Sequence, residues 1–230
     1  MKNLLSIILM TAIALVSGCS DNSDQPTDEI VSYDIACLKS QDSKVGGVYT
    51  LQLPLSSTPV TYYTKQLIDT TRIHVGDRLL IAYVPSGKPY TSGNISLRGY
   101  APITNSKLLF GSETDIENYD HDPVYLLSAW LSGPYLNVKA RLPYDESPRR
   151  YGVAVDTVAL KENPGCPEIY LIHELGQATS PDATFPRAYY ASFDLSALLA
   201  DPAVEIITLH LNNSNLPDNT ITFKTKIDKP

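Results

Sequence analysis

The sequence predicts an all-β protein, in which a small N-terminal barrel is followed by a C-terminal antiparallel β-sandwich. Short runs that alternate between apolar and polar residues recur along the chain, which is the pattern of half-buried strands. Turn-forming residues separate these runs, with 17 prolines and 12 glycines among 230 residues. The 15 tyrosines add a residue type that is enriched in strands. A hydrophobic content of 43% and a mean hydropathy of −0.10 are typical of a folded chain.

The N-terminal 18 residues have the pattern of a secretion signal. Lys2 precedes an apolar stretch over residues 4–16 that carries no charge. This stretch is shorter than the ~20 residues of a membrane-spanning helix and matches the apolar region of a signal peptide. The following Val16-Ser17-Gly18-Cys19 resembles the lipobox of bacterial lipoproteins. The resemblance implies cleavage before Cys19 and acyl chains on that residue, while an ordinary signal peptide with a chance cysteine is the alternative.

Residues 19–34 are predicted to form a flexible tether. The segment is polar, and its acidic side chains are Asp21, Asp24, Asp28, Glu29 and Asp34. Such a composition cannot bury a core. Acidic residues directly after the lipidated cysteine also resemble the surface-export signal of some Gram-negative lipoproteins. We therefore expect an outer-membrane lipoprotein on the cell surface, and an orientation towards the periplasm remains the alternative.

Residues 35–112 are predicted to form the barrel domain. Strand-type runs occur at Gly47–Leu53, Arg78–Val84 and Asn94–Tyr100, and turn clusters separate them at spacings suited to a small barrel. The polar, acidic residues 113–122 are predicted to be a linker or long loop.

Residues 123–230 are predicted to form the sandwich domain. Val124–Trp130 and Tyr135–Leu142 indicate a hairpin, whose second strand places Leu136, Val138, Ala140 and Leu142 on one face and Tyr135, Asn137, Lys139 and Arg141 on the other. Further strands are predicted at Val153–Leu160, Glu168–Glu174, Arg187–Phe193, Val204–Leu211 and Thr220–Ile227. A short helical turn is predicted at Asp194–Ala200. About seven strands with regular turns favour an antiparallel sandwich.

The order of these motifs resembles the NigD-like lipoprotein family. The lipobox is followed by Val75–Tyr83, the strand ending in Trp130, the strand Tyr135–Ala140 and the segment Ala191–Ser196. The resemblance implies an N-terminal OB-like barrel and a C-terminal β-sandwich over nearly all of the mature chain. The family name comes from a bacteriocin locus for which an immunity role was proposed. These motifs mark strands, so they specify the fold better than an activity.

The sequence contains no recognisable catalytic or cofactor motif. Zinc-protease, nucleophile-elbow, phosphate-loop and dinucleotide-binding patterns are all missing. His173-Glu174 lacks the second histidine of a zinc motif, so we expect a strand residue with a hydrogen-bonded imidazole. Asp120, His121 and Asp122 lack the ligand spacing of a calcium loop and are expected in a solvated linker. We therefore predict no catalytic residue, cofactor or metal ligand, and no enzyme.

The predicted function is binding of a protein, peptide or glycan partner at the cell envelope. Exposed tyrosines would supply the contact surface, and the candidates are Tyr62, Tyr63, Tyr90 and Tyr100. Alternative functions are sequestration of a bacteriocin by an immunity lipoprotein and hydrolysis at an unrecognised site. No nucleic-acid partner is expected outside the cytoplasm, although OB-like barrels often bind single strands.

Charge and thiols leave two further questions open. Residues 35–110 carry eight bases and three acids, whereas residues 111–230 carry nine bases and seventeen acids. The halves could attract one another, or the basic half could face anionic lipopolysaccharide. After lipidation of Cys19, Cys37 and Cys166 remain; we favour two separate buried thiols over a disulfide.

Overall fold

The computed structural model describes residues 29–54, 56, 58–143, 150–174 and 186–226. Within these ranges the chain forms fourteen strands and three short helices, which confirms the predicted all-β class. None of the helices in the described ranges has the length and hydrophobicity needed to span a bilayer. The predicted signal peptide and Cys19 lie outside the described residues.

Five strands close into a barrel. They are β1 (Ser32–Asp42), β2 (Gly46–Leu51), β3 (Val60–Thr64), β4 (Arg78–Pro85) and β5 (Gly93–Pro102). Their order is β1-β2-β3-β5-β4, and β3 and β5 are the parallel pair in a barrel that is otherwise antiparallel. Since β1 begins at Ser32, the last residues of the predicted tether belong to the barrel.

The turn between β1 and β2 requires glycine at position 46. Gly46 has a φ of +97°, and a Cβ atom there would lie 1.9 Å from the carbonyl oxygen of Thr64. Glycine alone fits both the left-handed backbone and the close approach of the neighbouring strand.

Nine strands form two further sheets. One sheet contains β7 (Leu109–Gly111), β10 (Arg150–Asp156), β11 (Glu168–Glu174), β13 (Ile206–His210) and β14 (Thr220–Lys224), in the order β14-β13-β11-β10-β7. The other contains β6 (Thr104–Lys107), β8 (Tyr125–Ser132), β9 (Tyr135–Pro143) and β12 (Pro186–Asp194), in the order β6-β12-β9-β8. Their inner faces share one apolar core, which makes this region a sandwich.

The sandwich is mixed, which corrects the prediction of a purely antiparallel one. The pairs β7–β10, β11–β13 and β6–β12 are parallel. The chain alternates between the two sheets, so that β12 of one sheet intervenes between β11 and β13 of the other. Strands separated in this way can return in the same direction without a helical crossover.

The boundary between the two predicted domains differs in the structure. β6 and β7 lie within the range assigned to the barrel domain, yet they pair with β12 and β10 of the sandwich. The predicted linker contains the helix α1 (Glu113–Glu117). A capping box between Ser112 and Asp115 stabilises the start of this helix. Ile116 of this helix is buried with Ala154 and Ile172, so the segment packs on the five-stranded sheet.

Two more helices follow strands of the sandwich. The predicted strand over residues 153–160 ends early, because Asp156 caps the helix α2 (Thr157–Glu162) through a 2.8 Å bond from Val158 N. The predicted helical turn near residue 196 is the helix α3 (Ser196–Leu199), and the Asp194 side chain accepts a bond from Ser196 N.

The two thiols in the described residues are both free. Cys37 is buried in β1, whereas Cys166 is exposed. The expectation of separate thiols is therefore confirmed, but the expectation that both are buried is wrong for Cys166, which follows α2 in a surface turn.

Candidate functional site

The barrel packs against the outer face of the four-stranded sheet. The alternation along β9 places Asn137 on the face opposite the core, where a polar residue would normally meet water. Asn137 is nevertheless fully buried, and so are Ser132 of β8 and Ser192 of β12 on the same face. This burial marks the area that the barrel covers.

Arg78 forms the centre of this contact. It is the first residue of β4 and is only 4% exposed. Its Nη2 donates to Ser132 Oγ at 3.3 Å and to Asn137 Oδ1 at 3.1 Å, and its guanidinium carbon lies 4.0 Å from the centre of the Tyr135 ring. Burial lowers the pKa of Arg78 to about 10, against the opposing influence of Tyr135, Cys37 and Asp194. The guanidinium therefore fixes the barrel on the sheet through hydrogen bonds and a cation–π contact.

A groove opens between the barrel and the exposed remainder of this sheet face. Its volume is about 280 Å³, close to the lower limit for small-ligand sites. Tyr33 at the start of β1, Trp130 of β8 and Tyr190 of β12 line it together with Leu53 of the barrel. Tyr33 is two-thirds exposed, while Trp130 and Tyr190 are half-buried. The groove thus offers aromatic surface to a ligand from both parts of the molecule.

Two charged side chains line the same groove. Asp34 comes from the barrel and Lys139 from the sheet. Lys139 Nζ lies 5.2 Å from the centre of the Tyr190 ring, opposite which it is placed in the β9–β12 ladder. Partial burial raises the pKa of Asp34, although a 2.7 Å hydrogen bond from Tyr83 OH opposes that change. A ligand here would meet an acceptor and a donor across one cavity.

The row of basic and aromatic residues continues along the sheet beyond the groove. Arg141 of β9 lies opposite Tyr125 of β8, and its guanidinium carbon is 5.3 Å from the centre of that ring. Both residues are exposed. The uncovered part of the face therefore carries two cations, each placed over a tyrosine ring.

A chain of hydroxyl groups connects Asp34 with the interior of the barrel. Tyr83 OH, which donates to Asp34, also lies 3.1 Å from Tyr62 OH, and the two rings are 4.9 Å apart. Both tyrosines are buried, and burial raises the pKa of each. The position of Asp34 in the groove is thus set by side chains of the barrel core.

The tyrosines predicted to bind a partner lie elsewhere on the barrel. Tyr62 is 0% exposed because its ring fills the barrel core, so its place in the predicted contact surface is wrong. Tyr63, Tyr90 and Tyr100 are between 39% and 52% exposed, and none of the three lines the groove. Their role in binding stays a prediction.

Sequence reasoning missed the groove, although one signal for it was present. The predicted outward face of β9 contains both Asn137 and Lys139, but only the packed structure shows which end of that face the barrel covers. Tyr33 was assigned to the tether and Arg78 to an apolar strand run, so neither was identified as a site residue.

The two histidines of the sequence motifs, His121 and His173, lie within hydrogen-bond distance of backbone carbonyl oxygens. His173 is buried in β11 with its Nδ1 3.1 Å from Asp122 O, which confirms a strand residue with a hydrogen-bonded imidazole. The ring nitrogens of His121 lie 2.9 Å from Leu171 O and 3.0 Å from Ile116 O. No group of three or more potential metal ligands occurs among the residues that the structure describes.

Comparison with known proteins gives a likeness in structure. No protein-family model and no curated protein sequence matches the chain. A protein of unknown function (DUF1344) from Bacteroides vulgatus ATCC 8482 is 15% identical with a TM-score of 0.65, over 87% of this chain and 92% of that one. A NigD-like immunity protein from Bacteroides caccae ATCC 43185 is 19% identical with a TM-score of 0.55, over 82% and 86%. A candidate lipoprotein from Bacteroides fragilis NCTC 9343 is 10% identical with a TM-score of 0.59, over 87% and 100%.

At these identities the likeness establishes the fold, and the fold is the NigD-like one that the strand motifs predicted. The barrel-and-sandwich arrangement thus recurs in proteins whose sequences have diverged widely, so the chemistry of this chain has to be judged from its own side chains.

Proposed function

We propose that this chain, which has a NigD-like fold, is a lipid-anchored cell-envelope protein that binds a peptide, protein or glycan partner in the groove between its barrel and its sandwich. The observation that carries the proposal is the lining of that groove. Three aromatic side chains, one carboxylate side chain and one amine side chain line a groove of about 280 Å³. Aromatic surface with a few polar groups is the usual composition of a recognition site.

The membrane attachment rests on the lipobox. Cys19 follows a bulky apolar residue and two small ones, and acyl chains on it would bury many methylene groups at about 0.8 kcal/mol each. The fold likeness to a candidate lipoprotein supports the same assignment. We place the protein in the outer membrane with its folded part on the cell surface, because acidic residues follow the cysteine.

Metabolic labelling tests the anchor. Radiolabelled palmitate should enter the wild-type protein and not the Cys19→Ala variant, which should also leave the membrane fraction. External protease should degrade the wild-type protein on intact cells. Resistance on intact cells together with degradation after permeabilisation would contradict surface exposure and favour the periplasmic face.

Capture from a detergent-solubilised envelope tests the groove. The residues following Cys19, immobilised, should retain peptides or glycans identifiable by mass spectrometry, and Trp130→Ala should reduce the retained amount at least about tenfold, because an anchoring tryptophan contributes ~2 kcal/mol or more. Phe110→Ala is the matched control, since Phe110 is an exposed aromatic residue outside the groove and is not among the predicted contact residues. Equal capture by all three proteins would contradict binding in the groove.

A second candidate function is immunity against a bacteriocin, which the likeness to a NigD-like immunity protein favours. In that case the partner in the groove is a toxin. Deleting the gene should sensitise cells to a bacteriocin encoded nearby, and the Trp130→Ala variant should fail to restore resistance. Unchanged sensitivity after deletion would count against this function without affecting the binding role.

A further inference from the structure

The outer strand of the four-stranded sheet, β8, has one edge that no strand of the described residues covers. Its other edge pairs with β9 from Tyr125 to Ser132. Residues 126–131 contain no charged side chain and no proline. Sheets usually protect a free edge with charges, prolines or bulges, because its unpaired backbone groups readily bond to another chain. β8 has one such feature, a bulge at Leu127.

The chain itself covers the first part of this edge. Val124 N donates to Asn212 O at 2.8 Å, and Ser214 N donates to Val124 O at 3.0 Å. The side-chain amide of Asn215 then bonds both backbone groups of Leu126, accepting from its N at 2.8 Å and donating to its O at 3.0 Å. This amide occupies the place of a peptide unit in a neighbouring strand. The edge of β8 therefore has the geometry to pair with a peptide backbone.

Beyond the bulge, the outward backbone groups belong to Ala129 and Leu131. Ser132 and Tyr135 close a two-residue turn, so they form a hydrogen-bonded pair at that end of the β8–β9 ladder. Bonded and non-bonded pairs alternate along an antiparallel ladder, so Trp130 is bonded to β9 and the two residues beside it point away from β9. In the described part of the chain, no backbone group pairs with their N–H and C=O groups.

This uncovered edge borders the groove. Ser128, Trp130 and Ser132 alternate with the two outward residues along β8, and all three line the groove. Successive side chains of a strand point to opposite faces of its sheet. A strand bonded to Ala129 and Leu131 would therefore direct every second side chain towards the groove, beside Trp130.

The groove also indicates a charge for the added strand. Lys139 lies opposite Ser128 in the β8–β9 ladder and forms no ion pair with the described residues. Neighbouring strands lie about 4.8 Å apart, so a glutamate added beside Ser128 would reach the Lys139 amine across the small serine side chain. An acidic side chain at that position complements the charge of the groove wall.

We propose that the partner bound at the groove is an extended polypeptide that adds as a strand to the edge of β8. Its backbone bonds to Ala129 and Leu131, and an acidic side chain meets Lys139. This inference rests on the proposed binding function and narrows its partner from a peptide, protein or glycan to a polypeptide segment. In strand addition, main-chain hydrogen bonds supply affinity and alternate side chains supply specificity.

Peptide display tests the proposal on the mature protein in detergent. A random library of peptides of about eight residues, within the usual length of a strand, is selected on the immobilised protein, and enriched peptides are synthesised as probes. Each backbone N–H of a probe is then replaced by N-methyl in turn. Binding should weaken about tenfold at every second residue and less than about twofold at the residues between, because alternate amides of an added strand face β8.

Two variants at Ala129 form a matched pair. Ala129→Pro removes one outward N–H, and the fold should persist because proline is tolerated where an edge N–H faces solvent. It should weaken probe binding about tenfold, whereas Ala129→Ser keeps the N–H and should bind like the wild type. Melting temperatures check that both variants fold. The N-methyl scan uses the unaltered protein, so it tests strand addition even if Ala129→Pro is unstable.

Several results would overturn strand addition. No enriched peptide, or a methylation profile without alternation, would do so. Envelope capture of glycans alone, dependent on Trp130 but not on Ala129, would also do so and would leave the proposed binding function intact. A dimer of the mature protein that Ala129→Pro dissociates would assign the edge to a second copy of this chain.

Discussion

The barrel and the sandwich are stabilised by different kinds of core. The sandwich core consists mainly of aliphatic side chains from facing sheets, with Phe193 as its fully buried aromatic residue. The barrel core contains three fully buried tyrosines, which are Tyr49, Tyr62 and Tyr83. Each tyrosine brings a hydroxyl group into an environment where an unbonded polar atom is unfavourable.

The difference shows how each region can contribute to a binding site. An aliphatic core needs no polar partner, so the sandwich acts as a rigid support for whatever its outer face displays. The hydroxyls of Tyr62 and Tyr83 are bonded to one another and then to Asp34, which connects the barrel interior to the groove. Changes in the barrel core should therefore alter the groove, while changes in the sandwich core should mainly alter stability.

Phe193→Ala should have the largest effect on stability. Phe193 lies in β12 at the centre of the sandwich core and is fully buried. Its truncation should lower the free energy of unfolding by ~3–5 kcal/mol, through lost burial and a residual cavity. Urea denaturation followed by circular dichroism measures this change. A loss below ~1 kcal/mol would mean that the sandwich core is plastic and not the rigid support described above.

Arg78→Ala should have the next largest effect on stability, because it removes the side chain that joins the barrel to the four-stranded sheet. Hydrogen bonds from a charged donor contribute ~1.5–3 kcal/mol, and Asn137 Oδ1 keeps its second donor, Ser192 Oγ, at 3.0 Å. We expect the free energy of unfolding to fall by ~2–3 kcal/mol. Lys88→Ala, at an exposed position of the barrel, is the control and should change stability by less than ~0.5 kcal/mol. Equal stability of both variants would mean that Arg78 does not hold the barrel on the sheet.

The sequence predicted the sandwich core better than the barrel core, for physical reasons. Along β9, apolar residues alternate with polar ones, so the local sequence alone places the apolar residues in the core. These residues are Leu136, Val138, Ala140 and Leu142, and all four are buried. Tyrosine carries no such information, because its ring suits a core while its hydroxyl suits water. Tyr62 was accordingly predicted on the surface but lies inside. The short strands β6 and β7 lack a periodic signal, which is why the domain boundary was misplaced.

The candidate sites were harder to predict than the fold because they form at a contact between distant parts of the chain. Arg78 reaches Ser132 and Asn137 across more than fifty residues, and no local pattern announces that contact. The alternation along β9 predicts a polar face that contains Asn137 and Lys139. It does not predict which part of that face the barrel buries.

Tyr83→Phe tests whether the tyrosine hydroxyls stabilise the barrel. The change removes the donor to Asp34 and leaves the buried Tyr62 hydroxyl without that partner, so we expect a loss of ~1–2 kcal/mol in urea denaturation. Tyr49→Phe is the matched control, because Tyr49 OH is buried without a hydrogen-bond partner among the described residues. It should be neutral or slightly stabilising. A similar loss in both variants would show that the effect comes from removing any buried hydroxyl group, and not from breaking the hydrogen-bonded chain.

Asp34→Asn should have the smallest effect and the most informative dependence on pH. Burial raises the pKa of Asp34 above its usual value of 3.8, so the unfolded chain releases this proton at lower pH than the folded protein does. As pH rises through the window between these two values, the folded state holds more protons than the unfolded state, and stability falls. Below pH 3.8 the loss of stability caused by ionised Asp34 is absent, and above the raised pKa this cost is fully present.

Asparagine resembles the neutral form of Asp34 and removes that cost. Asp34→Asn should therefore raise the melting temperature at pH 7, by an amount equivalent to less than ~1 kcal/mol because solvent screens a half-exposed carboxylate. The gain should vanish at pH 3. The same variant should weaken partner capture in the groove, where Asp34 is the carboxyl group offered to a ligand. Calorimetry between pH 3 and pH 7 measures the change in melting temperature. A melting temperature that falls at pH 7 would mean that the bond from Tyr83 outweighs the cost of burial, and that Asp34 is retained for the barrel and not for the groove.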